Sequence, residues 1–237
     1  MSKPKLLYFI PARGGSKGIK DKNLQIVGGK SLVKRAIDTG VASGTNLDMV
    51  ATVVVSTQDP LISSEASKWG AVIHHRPENI CGDDATTEQA LMDYLTNHWS
   101  SKDLKNTYVA LVQCTSPFTS SQDICEGINQ VTSGSDSSFL GSINHYWLYK
   151  QDTSANSYIP IGHELGFRPS RQRVQEQIHE TGAGYFFRAD KFMEYQFRLF
   201  GDINAVGTGL AESIDIDEPS DLKFAQIIAI GIESNSE

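Results

Sequence analysis

Arg13, Lys17, Lys20 and Lys22 fall within ten residues of one another, interleaved with Gly14, Gly15 and Gly18. Glycines let backbone amides turn inward and approach an anion unobstructed, and the cationic heads can close around it. Arginine adds a planar fork that grips two phosphate oxygens at once. These residue types point to a polyphosphate. The stretch is no Walker loop, because no Gly-Lys-Ser or Gly-Lys-Thr ends it, and it lacks the GxGxxG of dinucleotide sites. A solvated turn with surface lysines is the competing reading. Its place directly after an apolar run, near the start of the chain, favours the anion.

Asp215 and Asp217 form a second constellation. On an extended segment, side chains two residues apart leave the same face. Two carboxylates so placed suit a hard divalent cation, Mg2+ or Mn2+, that keeps several waters. Isolated Asp-x-Asp pairs are common, and Asp217-Glu218-Pro219 could equally start a helix. The basic loop elsewhere in the chain is what gives the pair weight. No convincing Ser-His-Asp or Cys-His arrangement stands out, and His74 and His75 read as a strand end rather than metal ligands.

Elements must bring these groups together. "KLLYFIPA" predicts a short buried strand ended by Pro11 and the glycines. Ser31 is a plausible N-cap for a helix with Leu32, Val33, Ala36, Ile37 and Val41 on one face. "MVATVVVST" is nearly all apolar and β-branched, as in a strand covered on both faces. A helix through "PLISSEASKWG", a strand at "AVIHHR", a helix at "TTEQALMDYLTNHW" and a strand at "TYVALVQCTSP" follow. This alternation implies crossover units and a parallel sheet, with ligands beyond the strands' carboxyl ends. Segments 12–23, the loop from Ser56 and Thr57, and 113–117 all fall there. The segment 142–180 is polar and aromatic with weak periodicity, and reads as an insertion that leaves the sheet. "GAGYFFRADKFM" returns as a strand and short helix. "ESIDIDEPSDL" reads as a strand ending at Asp217, then a helix with Pro219 and Asp221 in its first turn.

Composition narrows the class. A net charge of −7 argues against nucleic acid as the main partner, yet leaves room for a local basic pocket. Cys81, Cys114 and Cys125 are too scattered for a disulfide framework or a CxxC zinc site, which suits a reducing compartment. The apolar run before Pro11 is too short for a signal peptide or membrane span, so the expectation is a cytoplasmic protein without a membrane partner.

"IPARGGSKGIKDKNL" closely resembles the N-terminal signature of the acylneuraminate cytidylyltransferases, through Ala12, Arg13, Ser16, Lys17, Gly18, Lys22 and Asn23. These enzymes join CMP to nine-carbon 2-keto acid sugars. "HHRPENICGDDATTEQAL" is similar to the family's cytosine and ribose segment, which assigns that role to Arg76 and Thr87. "LVQCTSPF" resembles a Gln-Pro-Thr-Ser-Pro motif on the sugar side, matched by Gln113, Thr115, Ser116 and Pro117, with Cys114 in place of proline. "RQRVQEQIHETGAGYFF" matches through Arg171, Gly182, Ala183 and Tyr185, with Thr181 where the family has asparagine. Asp215 and Asp217 match the closing Asp-Ile-Asp.

The resemblance implies a three-layer, mostly parallel Rossmann-like nucleotidyltransferase sheet, one domain over 1–237, with 142–180 as an inserted dimerisation segment. It implies that CTP is held by Ala12, Arg13, Gly14, Ser16, Lys17, Asn23, Arg76 and Thr87, with Arg13, Lys22 and Asp215 catalytic and Mg2+ or Mn2+ on Asp215 and Asp217. The sugar would be met by Gln113, Thr115, Ser116, Arg171 and Tyr185, its carboxylate by Arg171 and Gln113 first, then Lys150 or Arg168. Tyr146, Trp147, Tyr149 and Tyr158 would serve a homodimer, which could pair into a tetramer. Rival readings are an eight-carbon keto acid cytidylyltransferase, a silent nucleotide-binding module of the same fold, and a DxD glycosyltransferase.

Overall fold

The computed structural model describes residues 3–82, 84–144, 147–170, 173 and 177–234. Strand β1 (Lys5–Pro11) shows how the layers arise. Leu6, Tyr8 and Ile10 enter one core with Leu32 and Ile37 of α1 (Leu32–Asn46), Ile62 of α2 (Pro60–Lys68), Ile124 of α5 (Ser121–Thr132) and Ala225 of α7 (Pro219–Ser234). Leu7 and Phe9 enter the opposite core with Leu91 and Leu95 of α3 (Thr87–His98) and Phe192 of α6 (Ala189–Tyr195). Successive side chains of a strand point to opposite faces, so one apolar run supports helices on both sides.

β1 pairs in parallel with β4 (Val50–Thr57) on one edge and β6 (Thr107–Val112) on the other. The full order is β11-β7-β10-β6-β1-β4-β5, with β5 spanning Val72–His75, β7 Ser137–Asn144, β10 Gln177–Arg188 and β11 Ile203–Thr208. β10 runs antiparallel to both neighbours, and β11 is parallel to β7. The sheet is therefore mostly parallel with one reversed strand. The chain moves outward from β1 through β4 to β5, then returns to β6 on the other side. Carboxyl ends at such a reversal of strand order leave a crevice for a ligand.

The predicted cap at Ser31 is present as chemistry, and the structure adds two more. Ser31 accepts from the Lys34 amide, Asp59 caps α2, and Thr86 with Gln89 forms a capping box on α3. Helix α5, capped by Ser120 and Asp123, and the edge strand β11 add elements that the sequence expectations lacked. The short pieces β2 (Ile26–Val27), β3 (Lys30–Ser31) and α4 (Ser101–Leu104) complete the main body. The segment 142–180, expected to leave the sheet, does so only between its ends: 142–144 and 177–180 belong to β7 and β10 of the main sheet, and between them β8 (Leu148–Asp152) and β9 (Ser157–Ile161) pair with each other as a separate hairpin.

The strand expected to end at Asp217 is not one. Both edges of β6 are already taken, by β1 and β10. The segment instead crosses beyond the carboxyl end of β6, where the Ile216 amide donates to the Thr115 carbonyl at 2.9 Å. Ile216 is fully buried between its two exposed aspartate neighbours, so the alternation survives without the ladder.

Candidate active site

Beyond β1 the chain turns through the basic loop, and three hydrogen bonds fix its ends. The Ala12 amide donates to Ser56 carbonyl, the buried Asn23 side chain donates to Arg13 carbonyl at 3.0 Å, and Gln25 reaches Lys20 carbonyl. Two glycines permit close approaches that a methyl group would block. A Cβ on Gly14 would lie 2.5 Å from the Asp59 carboxylate, and one on Gly18 would lie 2.6 Å from the Asp217 carbonyl oxygen. Residues near the two ends of the chain therefore touch. Lys22 Nζ donates to Asp217 Oδ1 at 3.0 Å and to the Ile216 carbonyl at 2.8 Å. Two of the ammonium's three donors are used there, and the ion pair is open to solvent on the Asp217 side.

Loop and closing segment border a cavity of about 490 Å³, within the range of small-molecule sites. Arg13, Ser16, Lys17, Gly18, Lys22 and Asn23 form one wall. Arg76, Ala85 and Thr87 form a second, where α3 begins and its positive dipole end favours anions. Gln113 and Thr115 beyond β6 make a third, with Asp217 and Glu218 at the rim. Arg13 also donates to the Gly82 carbonyl at 3.3 Å, tying the loop to the segment before α3.

Most of the residues singled out from sequence are brought together here, and some are not. Ala12 is fully buried in the core and Gly14 packs on Asp59, so neither forms the cavity wall, and Asp215 does not line it either, although Asp217 does. The Ser116 side chain is buried behind Thr115 with its hydroxyl unpartnered. Tyr185 lies in the core on the α3 side of the sheet, with its hydroxyl bonded to Glu180 and Arg198 over its ring. Because β10 is reversed and bulged between Glu180 and Tyr185, the face its residues present is not readable from alternation alone. Arg171 lies outside the described residues. Cys114 and Thr181, two of the departures from the family pattern, both turn inward. The Cys114 thiol is buried and pushed up to about 12, and Thr181 donates to the Leu140 carbonyl.

Charge in the site is strongly shaped by burial. Arg76 is buried, and desolvation pulls its guanidinium below its ordinary value, with Arg13 adding like-charge pressure against the influence of Cys81. Two guanidiniums facing one cavity call for an anion between them. Asp215 retains exposed area, yet protein closes around its carboxyl group. Desolvation pushes that carboxyl upward and the charge of Asp217 adds to the shift, while the Thr115 hydroxyl and Lys22 oppose it. Among the described residues no group of three or more His, Cys, Asp or Glu side chains could hold a metal. Asp215 and Asp217 are a pair that a divalent cation would relieve, and Mg2+ needs only one or two carboxylates when phosphates supply further ligands.

A Ser-His-Asp string, which the sequence did not disclose, is present. Ser56, His74 and Asp93 bond in series, and Ser56 also receives Arg76. Ser56 is fully buried, so the string is no nucleophile for a substrate. Positions 56, 74 and 93 belong to β4, β5 and α3, and no sequence spacing relates them.

Comparison with known proteins places this geometry in context. A family model described as "Cytidylyltransferase" matches residues 7–226. N-acylneuraminate cytidylyltransferase A of Danio rerio is 28% identical over 185 residues, 77% of this chain and 41% of that protein. Pseudaminic acid cytidylyltransferase of Campylobacter jejuni is 26% identical over 229 residues, 94% of this chain and 96% of the other. The chain spans about half the length, or less, of several curated relatives that it matches. A solved CMP:2-keto-3-deoxy-manno-octonic acid synthetase in complex with CTP shares the fold, with a TM-score of 0.66, 14% identity, and coverage of 96% and 99%.

Proposed function

Because the chain belongs to the cytidylyltransferase family, we propose that it activates a nine-carbon 2-keto-3-deoxy acid sugar with CTP, giving the CMP-sugar and pyrophosphate. The observation that carries this reading is the junction of Lys22 with Asp217 at the edge of a cation-lined cavity. The sugar's anomeric oxygen attacks the α-phosphorus in line. The bond from that phosphorus to the oxygen bridging toward the β-phosphate breaks, and the hydroxyl loses its proton.

Such transfers need placement and charge relief more than a protein nucleophile. Loop amides with Arg13, Ser16, Lys17 and Asn23 hold the triphosphate. Arg13 and Lys22 offset the negative charge on the α-phosphate and the departing pyrophosphate. Arg76, just beyond β5, and Thr87, at the start of α3, receive the nucleoside, and Gln113 and Thr115 face the sugar. Mg2+ or Mn2+, which Asp215 and Asp217 would hold, supplies Lewis-acid charge at the α-phosphate when bound. Asp215→Asn is expected to lower turnover steeply and raise the Mg2+ concentration needed for half-maximal rate; an unchanged Mg2+ titration would remove Asp215 from that role.

The hairpin β8–β9 supports a homodimer. Leu148, Tyr149, Tyr158 and Ile161 are exposed on it, and Leu165 and Phe167 stand exposed just beyond. Apolar and aromatic surface of this kind suits an interface. We place the reaction in the cytoplasm, without nucleic-acid or membrane partners; no described helix is long and apolar enough to cross a membrane.

The test is direct. The protein is incubated with Mg2+, CTP and a panel of keto acid sugars, and pyrophosphate is measured. Release with a nine-carbon acid is the expected outcome. Release only with an eight-carbon acid would overturn the acceptor assignment, and CTP binding without turnover of any acceptor would mean a silent module.

A further inference from the structure

Arg76 is only 8% exposed, yet it lines the cavity. Its Nε–H donates to Ser56 Oγ at 2.9 Å. Ser56 Oγ lies 2.9 Å from His74 Nδ1, and His74 Nε2 lies 2.9 Å from Asp93 Oδ2. An ionised carboxylate can only accept, so the bond to Asp93 places the proton on Nε2 of a neutral imidazole. Nδ1 is then an acceptor, and Ser56 must donate its single hydroxyl proton to it. That leaves the Ser56 lone pairs for Arg76. Each junction therefore has a defined donor, and the direction runs from Arg76 through Ser56 and His74 to Asp93.

We propose that His74 is a positioning residue for nucleotide binding: oriented by Asp93, it fixes the Ser56 hydroxyl so that the Arg76 guanidinium is held in the cavity wall. The ligand named here rests on the cytidylyltransferase reading. The surroundings explain why a tether is useful. Arg13 faces the same cavity, and its charge opposes that of Arg76. An untethered arginine would swing toward solvent. With Nε committed inward, both terminal nitrogens remain for a ligand. The imidazole itself is enclosed by Phe9 of β1 and by Tyr94 and His98 of α3. Burial lowers its proton affinity, which favours the neutral tautomer that the chain of donors requires. The Ser56 hydroxyl is sealed from solvent, so the string orients a cation and forms no bond with substrate.

A mere rivet between β5 and α3 would depend on the bond to Asp93 alone. Two amide variants separate the roles. The amide of His74→Asn reaches the Nδ1 position and can still accept from Ser56. The amide of His74→Gln reaches the Nε2 position, keeping Asp93 and abandoning Ser56. Positioning predicts that His74→Gln weakens CTP binding about tenfold, as for loss of a hydrogen bond to a charged group, by calorimetry with Mg2+. His74→Asn should retain the greater part of the affinity, although it has lost the stabilising tie to Asp93. In an Arg76→Ala background, His74→Gln should add no further loss. NMR of the arginine Nε–H, assigned by its disappearance in Arg76→Lys, reads the tether without nucleotide: protected in the native protein and His74→Asn, exchanging in His74→Gln and Ser56→Ala. An Nε–H signal unchanged in His74→Gln would overturn the proposal, as would an equal affinity loss with and without Arg76. A native protein that shows the protected signal yet fails to bind CTP would sink the functional reading and leave the tether standing.

Discussion

Lys22 is the residue where the chemistry of the two chain ends meets. Its ammonium is bonded to Asp217 and to the Ile216 carbonyl, which sets its position before any ligand arrives. Preorganised charge of this kind acts on the transition state more than on the ground state. Lys22→Ala is therefore expected to lose about 2–4 kcal/mol of transition-state stabilisation, read as a fall in kcat with a smaller change in CTP affinity. A weakened affinity with turnover intact would mean that Lys22 only binds. Gly18 makes a second prediction. A methyl group there meets the Asp217 carbonyl at 2.6 Å, a backbone atom that cannot rotate aside. Gly18→Ala should part the loop from the closing segment and cost turnover on the order of 10²-fold. The thermal midpoint should barely move, because Gly18 is exposed. A large drop in midpoint would show instead that the contact carries the fold.

At the scale of elements, the seam between β5 and α3 holds the one buried histidine that is hydrogen-bonded on both ring nitrogens among the bonds described above. Desolvation lowers the His74 pKa from its ordinary 6.5, and Asp93 offsets only part of the shift. Near neutral pH the group is neutral in both folded and unfolded chains, and no stability is lost. As pH falls through about 6.5, the unfolded chain takes up a proton that the folded chain resists. Stability is then lost progressively toward the depressed folded value. Urea midpoints of the native protein and His74→Gln, compared from about pH 7.5 to about pH 5, should show the native protein losing more on acidification. A difference independent of pH would mean that the two states bind that proton equally. The same seam shows why the string was invisible beforehand. Strand β5 was readable from its apolar pattern, but the partner of its buried histidine lies on a helix packed from the other side.

For the whole molecule, the hairpin β8–β9 stands outside the main sheet with Tyr158 at 68% exposure and Tyr149 at 49%. Burial of these rings against a second copy would stabilise the pair by the hydrophobic term that single chains forgo. Tyr158→Glu would place a charge in that contact. Sedimentation velocity is expected to show a dimer for the native protein and a shift toward monomer for the variant. A monomeric native protein at high concentration would remove the hairpin from this role. Trp147 is already engaged locally, with His163 edge-on at 4.9 Å and Arg168 over its ring, so it makes a poorer probe than Tyr158.

Local chemistry was enough to specify β1, β4, the cap on α1 and the basic loop, because each depends on periodicity, β-branching or turn residues within a few positions. It was also enough to pair Asp215 with Asp217 on one side of an extended segment, since that follows from alternation alone. What it could not supply was the neighbour. Whether Asp217 faces Lys22, whether Ser116 and Tyr185 reach the cavity, and whether the last extended segment joins the sheet all depend on which edges are already occupied. Here β10 is reversed and occupies the free edge of β6, which sends the aspartates across the strand ends and turns Tyr185 into the core. Contacts between residues distant in the chain follow from packing, and no local pattern records them.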